Sequence, residues 1–176
     1  KSLIGKKAIE FINDGDSLII DSGSTTTEVA KQLQHKKHLT VVTNALNVAL
    51  LLGAEYSFEV HMTGGEFKPP TLSLTGAKAA DFFKNINLDK LFLATRGVTS
   101  HGDLTYPGLS DLGVKLAMIK SAATVYLVAD STKMGQSSFA TLGGIELVDY
   151  LITDSGITES YRRLFEDRGV QIIIAD

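Results

Sequence analysis

"IIDSGSTTTEVAKQL", residues Ile19 to Leu33, passes from an apolar run through one glycine and four consecutive hydroxyl side chains into a helical pattern. A strand that turns directly into a helix, repeated along a chain, is the building unit of an α/β fold. The turn also carries chemistry. The first amides of a helix lack intrahelical partners and sit at the positive end of its dipole, so something must satisfy them. Gly23 permits close backbone approach, and the amides and hydroxyls of Ser24, Thr25 and Thr26 suit an anion such as phosphate. The residues support a second reading equally: Thr25 as a helix cap, with Glu28 three residues on, makes a capping box that satisfies the same amides internally. The stretch is neither Gly-x-Gly-x-x-Gly nor a lysine-bearing P-loop, so nucleotide binding is not favoured.

The same alternation extends in both directions. Ile4, Ala8, Phe11 and Ile12 repeat with helical period until "NDGD" (Asn13 to Asp16) breaks the pattern. Apolar runs of strand length then end at Asp21, Thr43, Thr63, Ala94, Ala129 and Thr153, and "QIIIA" closes the series near the C-terminus. Helical patterns lie between most of them, as in Val29 with Leu33, Ala45 to Leu52, Leu112 with Leu116 and Ile119, and Tyr161 with Leu164 and Phe165. Strands that are continuously apolar and alternate with helices imply a mostly parallel open sheet with helices on both faces. Residues 64–76 and 96–111 escape the alternation, and long stretches of this kind are functional or carry an insertion such as a hairpin.

With 176 residues, 44% of them hydrophobic, the chain is expected to form one domain, and no repeat or linker divides it. It has no cysteine, which excludes disulfides, thiolate metal sites and cysteine nucleophiles. The longest apolar stretch, Ala45 to Ala54, is too short to span a bilayer, and the start does not read as a signal peptide, so a cytoplasmic home is expected. Seventeen basic against twenty acidic residues give a net charge of −3, with no general attraction for nucleic acid. The one basic cluster, His35 to His38, reads as a solvated turn without a third metal ligand. Opening on Lys1 within a helical pattern, the chain reads equally as the remainder of a longer protein or as a processed start.

In open α/β sheets ligands gather beyond the carboxyl ends of the strands, so the residues after each strand are the candidates. They are Asp21 to Thr26, Asn44, Gly64 and Gly65, Arg96 and Gly97, and Asp130 to Lys133. Glycine, hydroxyl, amide and cation together are more than a structural edge needs. Arg96 offers a bidentate guanidinium to an anion. Lys133 and Lys115 offer point charges, although a lone lysine is more often ordinary surface. Asn44 could hold a sugar hydroxyl or cap the following helix, and Asp21 and Asp130 could accept from sugar hydroxyls or from amides of their own turns. No Gly-x-Ser-x-Gly is present, and His101 reads as an exposed loop residue with no serine to serve.

In order, "DGDSLIIDSGSTTTEVAKQL", "LTVVTNALNVA", "MTGGEF", "SLTGAKA", "LDKLFLATRGV", "GDLTYPG", "VKLAMIKSA" and "VADSTKMG" resemble the C-terminal sensor domain of DeoR-family transcriptional regulators over essentially the whole chain. The resemblance implies a non-enzymatic domain, without cofactor, that binds a phosphorylated sugar effector. It also implies a homo-oligomer that meets operator DNA only through an N-terminal winged helix-turn-helix absent from this chain. It assigns the phosphate loop to Gly23, Ser24, Thr25 and Thr26. It places Asp21, Asn44, Gly64, Gly65, Gly97, Lys115, Asp130 and Lys133 around the same cleft, with Arg96, a less typical residue, reflecting effector choice. The fold it implies is shared with ribose-5-phosphate isomerase (ISOCOT-type). The rival function is therefore sugar-phosphate isomerisation, but "ATRGV" and "LSDLGVKL" stand where that enzyme's acid and base would lie. Closure of the Arg96 to Gly108 segment over ligand is the expected signal.

Overall fold

A computed structural model describes residues 1–55 and 57–176. Its helices are α1 (Ser2–Ala8), α2 (Ser24–Lys31), α3 (Leu46–Leu52), α4 (Ala77–Asp81), α5 (Leu109–Ser121) and α6 (Glu159–Asp167). Its strands are β1 (Ser17–Ile20), β2 (Thr40–Thr43), β3 (Glu59–Met62), β4 (Glu66–Lys68), β5 (Ser73–Thr75), β6 (Leu88–Leu93), β7 (Gly97–Val98), β8 (Asp103–Tyr106), β9 (Ala122–Val128), β10 (Ala140–Gly144), β11 (Tyr150–Asp154) and β12 (Gln171–Ala175).

The seven apolar runs of the sequence are the seven strands of one sheet, ordered β12-β11-β9-β6-β1-β2-β3. Every pairing within it is parallel. Continuous apolar character follows from coverage on both faces. Leu18, Ile20, Phe92, Tyr126, Val128 and Ile152 pack with Ile4, Ala8, Val29, Val48 and Leu52 from α1, α2 and α3. Ile19, Leu91, Leu93, Val125, Leu127 and Leu151 pack on the other side with Ala79, Val114, Met118 and Phe165 from α4, α5 and α6. On the first face the rings of Phe92, Tyr126 and Tyr150 stack with centroids 5.2 and 4.9 Å apart.

The strand order reverses at β1. The chain runs outward through β2 and β3, then returns to β6 on the other side of β1 and continues through β9, β11 and β12. Loops leaving β1 and β6 therefore diverge, which opens a crevice at their carboxyl ends.

The two stretches outside the alternation fold into small antiparallel sheets. Residues 66–75 form the β4–β5 hairpin. Residues 97–98 and 103–106 pair as β7 and β8, and β8 also pairs with β10. The segment expected to close over ligand is thus tied into a three-stranded sheet, with Thr99 N donating to Asp103 O and Gly102 N to Thr99 O. The strand β10, "ATLGG", has no apolar run of its own and exists through its pairing with β8.

Candidate functional site

A cleft of about 310 Å³ lies at the switch point between β1 and β6. Its floor is the loop Ser22 to Thr25 with Thr27, its second wall Ala94, Thr95 and Arg96, and its rim the hairpin residues Pro70 to Ser73. Tyr106, Asp111 and Lys115 enter from the α5 side, and Lys133 from the turn after β9.

The helix α2 begins at Ser24, two residues earlier than a Thr25 cap requires, and its cap residue Gly23 has no side chain to offer. The capping box is therefore not formed: Glu28 pairs instead with Lys31 at 2.7 Å. Gly23 O accepts from Thr27 N and from the hydroxyls of Thr26 (3.0 Å) and Thr27 (2.7 Å). Among the described residues no acceptor meets the amides of Ser24, Thr25 or Thr26, and no hydrogen bond is made by the hydroxyls of Ser24 or Thr25. Thr25 is only 5% exposed, so its free hydroxyl faces the cleft rather than bulk water. A Cβ on residue 23 would lie 2.7 Å from the Ala94 Cβ, so only glycine lets this loop rest on the end of β6.

Beneath the loop sits a buried ion pair. The Lys115 ammonium bonds an Asp21 carboxylate oxygen and lies 3.4 Å from Ser22 Oγ. The Asp21 carboxylate also accepts from Ser22 N (2.7 Å) and Ala94 N (3.1 Å), clasping the ends of β1 and β6 together. Tyr106 completes the floor: its hydroxyl donates to Ala94 O at 2.7 Å, and the Lys115 nitrogen stands 5.4 Å from its ring centroid. Burial pushes the Tyr106 phenol well above its ordinary value of 10, and the Asp21 charge adds to the effect, so it stays a neutral donor. At the opposite wall Lys68 reaches from the hairpin to Asp111 at 2.8 Å, and Asp111 also accepts from Gly108 N at 3.0 Å.

Of the residues singled out from sequence, Gly23, Ser24, Thr25, Arg96, Lys115 and Lys133 line the cleft. The others are placed around it in supporting positions. Thr26 is buried and turned back on Gly23 O. Asp21 serves Lys115 and two amides. Asn44, buried, neither faces the cleft nor caps α3: it accepts from Ser22 N (3.1 Å) and donates to Leu74 O (3.1 Å), joining the phosphate-loop candidate to the hairpin. Gly64 and Gly65 stand at positive φ below the hairpin, where a Cβ on residue 65 would meet Thr75 O at 2.6 Å. Gly97 packs on Gln136. Asp130 caps its own turn through Thr132 N at 3.1 Å. The lining residues not singled out include Thr27, Asn47, Ser73, Tyr106 and Asp111, with Asn47 Nδ2 donating to Thr27 Oγ1 at 2.9 Å.

Among the described residues, no group of acidic or histidine side chains could hold a metal ion, and no helix is long and apolar enough to cross a membrane.

Comparison with known proteins agrees with this architecture. The chain is 34% identical over 98% of its length to the HTH-type transcriptional regulator GlpR of Haloferax volcanii, of which it spans 68%. It is 32% identical over 98% of its length to the glycerol-3-phosphate regulon repressor of Escherichia coli, again spanning 68%. To the HTH-type transcriptional repressor GlcR of Bacillus subtilis it is 30% identical along its whole length, spanning 67%. Among solved structures, ribose 5-phosphate isomerase A from Neisseria gonorrhoeae superposes with a TM-score of 0.55 at 17% identity, over 77% of this chain and 52% of the isomerase. The eIF2B delta structure from Chaetomium thermophilum gives 0.59 at 17%, over 85% of this chain and 53% of that one. These two likenesses carry the fold alone. Residues 1–155 match the model of the DeoR C terminal sensor domain, and the chain belongs to that family.

Proposed function

We propose that this chain is the effector-sensing domain of a transcriptional repressor of sugar metabolism, and that its cleft binds a phosphorylated sugar without turning it over. The observation that carries the reading is the start of α2. Ser24 and Thr25 line the cleft with amides and hydroxyls that have no partner among the described residues, and the Lys115 ammonium, paired with Asp21, lies 3.4 Å from Ser22 Oγ of the same loop. A phosphate would satisfy the free amides and hydroxyls and gain from the helix dipole. Asn47 beside Thr27, and Thr71 and Ser73 on the rim, are neutral groups suited to sugar hydroxyls.

In this proposal, DNA contact belongs to the third of the relatives' length that this chain does not span. Association into a homo-oligomer is part of it, supported by the exposed apolar side chains Leu46, Leu50, Phe67 and Leu72 on α3 and the hairpin. A second reading, sugar-phosphate isomerisation, has one observation in its favour: Asp111 puts a carboxylate in the cleft. Its pairing with Lys68 and Gly108 N suits a wall fastening better than a mobile proton carrier. Aldose–ketose conversion by the pure chain, abolished in Asp111→Asn, would replace the sensor reading.

The direct test is thermal unfolding against a panel of sugar phosphates, each beside its unphosphorylated parent. A ligand at about 100 times its Kd adds about 2.7 kcal/mol. Only the phosphorylated member of a pair is expected to stabilise. Ser24→Asp puts a carboxylate on the same amides, so it should abolish that response without lowering the ligand-free melting temperature. Equal shifts from the parent sugar, or a response indifferent to Ser24→Asp, would sink the proposal.

A further inference from the structure

Four charged side chains line the cleft, and they divide into two kinds. Lys115 is neutralised by Asp21 and Asp111 by Lys68. Arg96 and Lys133 have no carboxylate partner among the described residues, in a chain whose net charge is −3. Their segments also lie side by side. Val98 bridges Met134 in parallel, and Gly135 N donates to Val98 O at 2.9 Å, so the segment carrying Lys133 runs along the segment carrying Arg96. The close approach depends on Gly97, where a Cβ would fall 2.5 Å from Gln136 O. Two like charges on neighbouring segments, lining one cleft and without a carboxylate partner among the described residues, suit an anion.

Lys133 stands two strands from the phosphate loop at α2, and Arg96, which follows β6, stands between them. The phosphate loop follows β1 and Lys133 follows β9, with β6 between them. Two interstrand spacings of about 4.8 Å separate the two columns by about 10 Å. We propose that Arg96 and Lys133 form a second anion subsite, and that the effector is a sugar derivative acidic at both ends: a bisphosphate or a phosphorylated sugar acid. This rests on the phosphate reading of the α2 end and adds the requirement for a second acidic group on the far side of the carbon chain.

Titration calorimetry at fixed ionic strength tests it with matched probes: fructose 6-phosphate against fructose 1,6-bisphosphate, and glucose 6-phosphate against 6-phosphogluconate. In at least one pair the doubly acidic member is expected to bind tenfold or more tightly, since its second acidic group would accept charge-assisted hydrogen bonds from Arg96 and Lys133. Which pair shows the preference separates phosphate from carboxylate at the second position. In Arg96→Met and Lys133→Met, both on the rim, that ratio should fall toward one, and Arg96→Lys should keep part of it. Circular dichroism melts establish that the variants fold. A ratio near one in the parent chain, or one unchanged in both variants, overturns the second subsite while leaving the phosphate reading intact. Loss of all binding in Ser24→Asp supports the phosphate reading independently. Failure of every probe to bind counts against both.

Discussion

The strands β1 and β6 are neighbours along their whole length, yet their two ends are finished differently. At the amino ends the polar groups close on one another. Asp89 Oδ2 accepts from Ser17 N and Ser17 Oγ, both at 2.8 Å, Asp89 N donates back to Ser17 Oγ at 2.9 Å, and Lys90 pairs with Asp16. At the carboxyl ends a comparable set of residues is left half answered. Asp21 and Lys115 meet, but the first amides of α2, the Thr25 hydroxyl and the side chains of Arg96 and Lys133 do not find partners among the described residues. Polar residues at a sheet end therefore say little by themselves. Whether the chain satisfies them decides between a fastening and a site.

That contrast can be broken from the inside outward. The largest effect is expected for Lys115→Met, which leaves the fully buried Asp21 carboxylate without its cation. Stripping one partner from a buried pair costs about 3–5 kcal/mol, to be read as a fall in the urea midpoint with unchanged slope. A loss comparable to a surface substitution would mean that the pair belongs to the ligand rather than to the fold. Gly97→Ala is expected to cost about 1–3 kcal/mol through overpacking against Gln136. It should also erase the preference for doubly acidic ligands, because Lys133 can no longer be drawn alongside Arg96.

The smallest effect lies at the closed end. The hydrogen bonds from Ser17 N and Ser17 Oγ hold the Asp89 carboxyl below its ordinary value of 3.8, outweighing the opposing effect of burial. A carboxyl with a depressed folded pKa stabilises fully above its unfolded value and loses that contribution as the pH falls through the folded one. Asp89→Asn should therefore melt slightly below the parent chain at neutral pH, and the gap should close in acid below 3.8. A gap that is constant with pH would make the carboxylate's charge irrelevant there.

The fold was legible because its main signal is local. Each of the seven parallel strands is an apolar run bounded by polar residues, and each can be read without knowing its neighbour. The small sheets were not, because strands such as Gly97–Val98 and Ala140–Gly144 are short and glycine-bearing and exist through distant pairing. The site was legible as a place rather than as a set of contacts. Sequence shows that Asn44 and Asp130 follow strands, but not that one side chain turns to Leu74 O and the other to Thr132 N. The glycines illustrate the same limit. Gly65 and Gly97 are required by neighbouring backbone, whereas Gly23 both packs on β6 and opens the loop. Tyr106 carries no pattern that marks it; its place follows from β8 folding back under Ala94.

The reversal of strand order at β1 has a consequence in time as well as in space. The two walls of the cleft come from β1 and β6, and two strands of the sheet, the hairpin and three helices are synthesised between them. No part of the chain that stops short of β6 has a cleft at all, and the Lys133 side is added only after β9. A ligand seated there bridges early and late portions of the polypeptide across a seam that separates when either portion opens. Occupancy thereby reports that the domain is complete, and hydrogen exchange should slow on both sides of the seam together rather than on the loop alone.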